Sequence, residues 1–185
     1  MFSKLHPTTP RIIIIPQFWF ISPRNCIISQ FNRTIKLVIE MIIKRLRDTR
    51  ESMNLKQKDL TTLFGVTFST ISGWETGKDT IPLKQLIKYA NEFNYSLDYL
   101  FGLTNKNEKY LPLKIDLDNI AKNLKQIRKQ NKKTQQDIAK VLNTSSSAYA
   151  HYENARYLIP TNFIYALSTI YPNFSIDKVL GREKK

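Results

Sequence analysis

Sliding the chain against itself at an offset of 78 residues brings Leu46 onto Leu124, Arg50 onto Arg128, Gln57 onto Gln135 and Asp59 onto Asp137. The same offset pairs Ser69 with Ser147, Glu75 with Glu153, Ile81 with Ile159 and Pro82 with Pro160. Apolar positions follow: Leu60 with Ile138, Leu63 with Val141, Trp74 with Tyr152, Leu86 with Ile164. A constant offset held this long means two copies of one unit, so the fold must be one that each copy can adopt. Each unit is about 65 residues, small but within the size that folds on its own.

Within a copy, the apolar pattern is that of short helices. Leu60, Leu63 and Phe64 are spaced i, i+3, i+4, as are Ile138, Val141 and Leu142. Gly65 and Asn143 follow, and these residue types enter the left-handed backbone region that a tight turn between helices requires. Thr67 and Ser145 then stand as N-caps of a further helix, which carries Ile71 and Trp74, or Tyr149 and Tyr152, towards the core. Pro82 and Pro160 open a fourth helix that buries Leu86, Tyr89, Ala90 and Phe93, matched by Ile164, Leu167, Ser168 and Tyr171. The pattern predicts an all-α protein of two tandem helical bundles, each of about five short helices. The boundaries read from it are a leader at 1–38, a first domain at 39–103, a linker at 104–116 and a second domain at 117–182.

Composition narrows the chemistry. Cys26 is the only cysteine and His6 and His151 the only histidines, which argues against a disulfide, a cysteine zinc cluster or a histidine metal site. There is no Gly-rich phosphate loop, catalytic carboxylate pair or nucleophile-base constellation, so the sequence points away from an enzyme and from a cofactor. The net charge of +14 favours a polyanionic partner. It divides as +5 over 1–38, +2 over 39–112 and +7 over 113–185. The acid-free leader reads as a disordered tail or an over-called start near Met41, with a targeting segment as the alternative. Its apolar run from Ile12 to Ile21 is interrupted by Pro16 and is about half the ~20 residues that span a bilayer, so no membrane role is expected.

Two short helices joined by a tight turn form a helix-turn-helix. Leu46-Arg-Asp-Thr-Arg50, Leu55-Lys-Gln-Lys-Asp-Leu60, Phe64-Gly-Val66, Ile71-Ser-Gly-Trp-Glu-Thr-Gly-Lys78 and Tyr95-Ser-Leu-Asp-Tyr-Leu-Phe-Gly-Leu103 together resemble the phage-repressor (Cro/Xre-type) helix-turn-helix family. Residues Leu124 to Gly181 resemble it with more divergence. The resemblance implies structural ion pairs between Arg50 and Glu75 and between Arg128 and Glu153. It also implies phosphate contacts from Gln57, Lys78, Gln135 and Arg156. The base-facing positions would be Phe68, Ser69, Thr70 and Gly73 in the first copy, and Ser146, Ser147, Ala148 and His151 in the second. Neither set offers the Arg–guanine or Gln–adenine pairs that read bases bidentately, so DNA shape and phosphate placement would carry much of the specificity.

The function so implied is sequence-specific binding of double-stranded DNA by a cytoplasmic, nucleoid-associated transcriptional regulator, read as a repressor. The 13-residue linker from Thr104 to Asp116 stretches to ~43 Å at ~3.3 Å per residue, enough for one chain to act as a pseudo-dimer across grooves ~34 Å apart. The alternative is a protein-interaction module, such as an antitoxin or regulator partner, whose second copy dimerises. Tyr149, Tyr152, Tyr157 and Tyr165 give that copy an aromatic excess usable at an interface.

Overall fold

Ten helices make up the secondary structure of residues 44–185, the part of the chain that the computed structural model describes; the leader at 1–38 lies outside these residues. α1 runs through residues 44–52, followed by α2 (Gln57–Phe64), α3 (Phe68–Thr76), α4 (Leu83–Glu92) and α5 (Leu97–Leu100). The second copy repeats the order with α6 (Leu117–Gln130), α7 (Gln135–Val141), α8 (Ser146–Glu153), α9 (Thr161–Ile170) and α10 (Ile176–Val179). Among the described residues there is no strand, only a single antiparallel bridge between Tyr110 and Lys184.

The repeat extends to backbone conformation. Left-handed residues occur in matched pairs: Asn54 and Lys132, Gly65 and Asn143, Gly77 and Ala155, Asn94 and Asn173, Gly102 and Gly181. The last two pairs are offset by 79 residues, because the second copy inserts one residue between Tyr171 and Ser175. Gly65 (φ 65°) and Asn143 (φ 51°) make the turn of each helix-turn-helix. Thr67 Oγ1 then accepts from the Thr70 N–H at 3.2 Å, and Ser145 Oγ from the Ala148 N–H at 3.1 Å, satisfying amides that a helix start leaves unpaired. Pro82 and Pro160 sit one residue earlier than first-turn prolines, at the N-cap positions of α4 and α9.

The first copy's core is Leu46, Leu60, Phe64, Ile71, Trp74, Leu86, Tyr89 and Ala90. The Thr49 hydroxyl lies 2.7 Å from the Tyr89 hydroxyl, which satisfies both polar groups inside it. In the second copy Ile120, Leu124, Ile138, Leu142, Tyr149, Ile164 and Leu167 do the same work. Phe93, Tyr152 and Tyr165 are only half-buried, and Tyr157 is 63% exposed.

The copies do not stand apart. Their buried apolar residues form one continuous cluster, and the linker folds along both units instead of extending. The Ser96 N–H donates to Asn107 Oδ1 at 2.8 Å, and Asn91 exchanges two hydrogen bonds with the Leu113 backbone. The Leu111 N–H donates to the Glu183 carbonyl at 2.8 Å, while the Arg182 guanidinium lies 5.3 Å from the centre of the Tyr110 ring.

Candidate nucleic-acid interface

In each copy the second helix of the helix-turn-helix is fastened at its C-terminal end by a buried ion pair. Arg50 on α1 donates through Nε to Glu75 Oε1 at 2.6 Å and through Nη2 to Oε2 at 2.9 Å. Arg128 on α6 makes the same fork to Glu153, at 2.6 and 2.8 Å. The third member comes from the first helix of the motif: Gln57 Nε2 donates to Glu75 Oε2 at 2.8 Å, and Gln135 Nε2 to Glu153 Oε2 at 2.9 Å. Burial by itself would push both carboxyls up, but these hydrogen bonds outweigh it and hold Glu75 and Glu153 below the ordinary 4.5. The charged forms are thus the stable ones, and each Arg–Glu–Gln lock sets how α3 or α8 leans from the body.

The glutamines expected at phosphates therefore each commit an amide N–H to the buried glutamate of their own copy. Lys78 is exposed just beyond α3. Arg156, also exposed, turns back so that Nη1 lies 3.4 Å from His151 Nδ1.

The base-facing candidates separate by accessibility. Phe68 is 60% exposed at the first position of α3, and Ser69 is exposed beside it. Thr70 is half-buried, with its hydroxyl 2.9 Å from that of Thr67. Gly73 is buried, because the Asp79 side chain lies over it; a Cβ there would come 2.5 Å from Asp79 Oδ2. In the second copy Ser146 and Ser147 are exposed, while Ala148 and His151 are half-buried. The His151 ring meets Tyr157 edge-on at 5.7 Å. Asp79 and Tyr157 occupy equivalent positions, so in both copies the loop after the exposed helix folds back onto its last outward position.

Two arginines on α1 complete the frame, and sequence reasoning passed over them. Arg47 Nη2 donates to the Glu75 carbonyl at 3.0 Å, at the end of α3. Arg45 Nη1 donates to the carbonyls of Tyr99 and Thr104 at 2.6 and 2.8 Å, tying α1 to the end of α5. In the second copy Arg47 has a basic counterpart in Lys125, whereas Arg45 aligns with the neutral Asn123. No run or spacing singles out Arg45. Among the described residues no group of three or more His, Cys, Asp or Glu side chains could hold a metal ion.

Residues 46–100 match the protein family described as "Helix-turn-helix", and residues 121–178 match the family described as "Helix-turn-helix domain". The chain thus carries two helix-turn-helix domains in tandem. Over 65 residues it is 32% identical to a Bacillus subtilis (strain 168) protein named "Uncharacterized HTH-type transcriptional regulator YobD". That stretch covers 35% of this chain and 58% of the relative, so the chain spans little more than half the length of the relative it matches. No solved structure matches the chain. These two family matches and that relative make the protein one of two tandem helix-turn-helix domains, similar to Xre-like regulators.

Proposed function

We propose that this protein binds double-stranded DNA in a sequence-specific way and regulates transcription, as a repressor. One observation carries the reading: each copy holds a short helix against its body by a buried Arg–Glu–Gln lock and leaves that helix's N-terminal face exposed. A recognition helix enters the major groove with its N-terminal residues at base edges, while neighbouring donors grip phosphates. Phe68, Ser69 and Thr70 would make the base contacts of the first copy, and Ser146, Ser147, Ala148 and His151 those of the second. Phe68 offers an apolar surface to a thymine methyl, and the serines accept either base, so direct readout is modest. Lys78 and Arg156 supply phosphate contacts, with the Oε1 atoms of Gln57 and Gln135 available to bridge through water.

Asp79 refines the picture, because its carboxylate stands over Gly73 where a groove-reading side chain would otherwise be. A carboxylate at that edge favours cytosine N4 donors and repels phosphate oxygens. The test is a mobility-shift titration at several salt concentrations with the full chain. Binding should weaken as salt rises, with a log–log slope of about −0.9 for each phosphate neutralised, and Lys78→Ala should reduce that slope by about one. Binding indifferent to salt, or no binding to any duplex, would refute the reading.

A further inference from the structure

The closing helices α5 and α10 are equivalent four-residue elements, and they contact each other by an exchange of roles. Asp98 Oδ1 accepts from the Ile176 N–H at 2.6 Å, and its Oδ2 accepts from the Ser175 hydroxyl at 2.5 Å. Asp177, the equivalent of Asp98, accepts from the Leu97 N–H at 3.0 Å and from the Asp98 N–H at 2.9 Å. Leu97 and Ile176 are themselves equivalent, so residue i of one copy binds residue j of the other while j binds i. That is the contact pattern of an isologous interface, which a two-fold axis generates. Here both sides belong to one chain.

Further from the axis, two more contacts join the copies, and the equivalents of the residues that make them are buried. Phe101 stacks on Tyr165 with centroids 6.1 Å apart, and the equivalent pair, Leu180 and Ile87, is buried. Thr161 Oγ1 donates to the Ile81 carbonyl at 2.6 Å, and the equivalents Leu83 and Ile159 are buried. Each copy joins its exposed helix to its closing helix through a packed core. A two-fold that exchanges α5 and α10 therefore exchanges α3 and α8 as well.

Resting on the DNA-binding reading above, we infer that a single chain is a closed pseudo-dimer that docks on a duplex carrying two inverted, unlike half-sites. Inversion follows from the two-fold, because helices related by it meet strands of opposite polarity, as in a palindromic operator. Unlikeness follows from the faces: Phe68 stands opposite Ser146, Thr70 opposite Ala148, and Gly73 under Asp79 opposite His151 under Tyr157. The surface that forms the two-fold is consumed within the chain. Leu97, Leu100, Ile176 and Asp177 are fully buried there, so no second chain is needed to complete it.

The experiment selects bound sites from random duplex DNA with the full chain and weighs the complexes by native mass spectrometry. The best site is then resynthesised with one half-site flipped, turning an inverted arrangement into a direct one at the same spacing. The expected result is one chain per duplex, two protected grooves of different sequence, and a loss of affinity of at least about tenfold on flipping. Two chains per duplex, or equal affinity for the flipped site, overturns the pseudo-dimer while leaving DNA binding intact. Selection that enriches no sequence, with no complex on any duplex, overturns the DNA-binding reading itself.

Discussion

Removing Glu75 should unfasten the first copy in a way that a balanced double replacement does not. The Arg50 and Glu75 side chains are 9% and 3% exposed, with the charged atoms in direct contact. At a charge separation of ~4 Å and an effective dielectric of ~20, their attraction is about 4 kcal/mol. Glu75→Ala removes that attraction and frees the Gln57 amide. Arg50 still donates to the Leu55 carbonyl at 2.8 Å and to Glu51 Oε1 at 3.2 Å, so the stranded charge is partly compensated. The expected cost is therefore about 3 kcal/mol, the low end for breaking a buried pair. Arg50→Met combined with Glu75→Leu strands no charge and keeps the volume, and should fall within ~1 kcal/mol of the parent. Urea unfolding of the parent, both singles and the double gives the coupling energy, provided the m-value stays constant across the four. A single-variant cost below ~1 kcal/mol at constant m would show that the lock is ornamental to stability and would sink the reasoning.

Acid should loosen both locks: Glu75 and Glu153 lie below the ordinary 4.5 in the folded protein, so the unfolded chain takes up their protons first as pH falls. Their stabilisation is complete above about pH 4.5 and is lost as pH drops through the folded values, and Glu75→Gln with Glu153→Gln should flatten that part of a stability–pH curve. Ala155 holds φ 56° where the first copy has Gly77, so Ala155→Gly should raise stability by about 0.5–1 kcal/mol, read as a higher urea midpoint. The Tyr171 hydroxyl is buried without a hydrogen-bond partner among the described residues, and burial pushes it up to about 12. Tyr171→Phe installs what the first copy has at Phe93 and should stabilise by about 1 kcal/mol; a loss of that size would reveal a partner for the hydroxyl. Asp177→Ala leaves Arg182 Nη1 with only the Tyr95 carbonyl at 2.9 Å and strands two backbone amides of the other copy, at a cost of about 3 kcal/mol. Calorimetry should then resolve two transitions where the parent shows one.

The helical unit was legible because everything that specifies it is local. Gly65 and Asn143 are the residue types that turn left-handed, Thr67 and Ser145 cap the next helix within three residues, and the apolar spacing identifies the buried side of each helix. The same holds for Arg50 with Glu75 and Arg128 with Glu153, where the repeat and the family resemblance together named partners 25 residues apart. Gly73 was less legible: its exposure depends on Asp79, a loop residue that no periodicity places.

By itself the sequence determined two copies of one helical unit, their turns and caps, and the helix each would present outward, since short-range sterics and spacing decide these. Only the tertiary structure decided how the copies meet. The reciprocal caps of Asp98 and Asp177 join residues nearly 80 positions apart, and an aspartate in a helix's first turn reads equally well as a cap for its own helix. The same fold turned a segment long enough to be a tether into packing between the copies, because Asn91, Ser96 and Arg182 offer it partners that no local pattern announces.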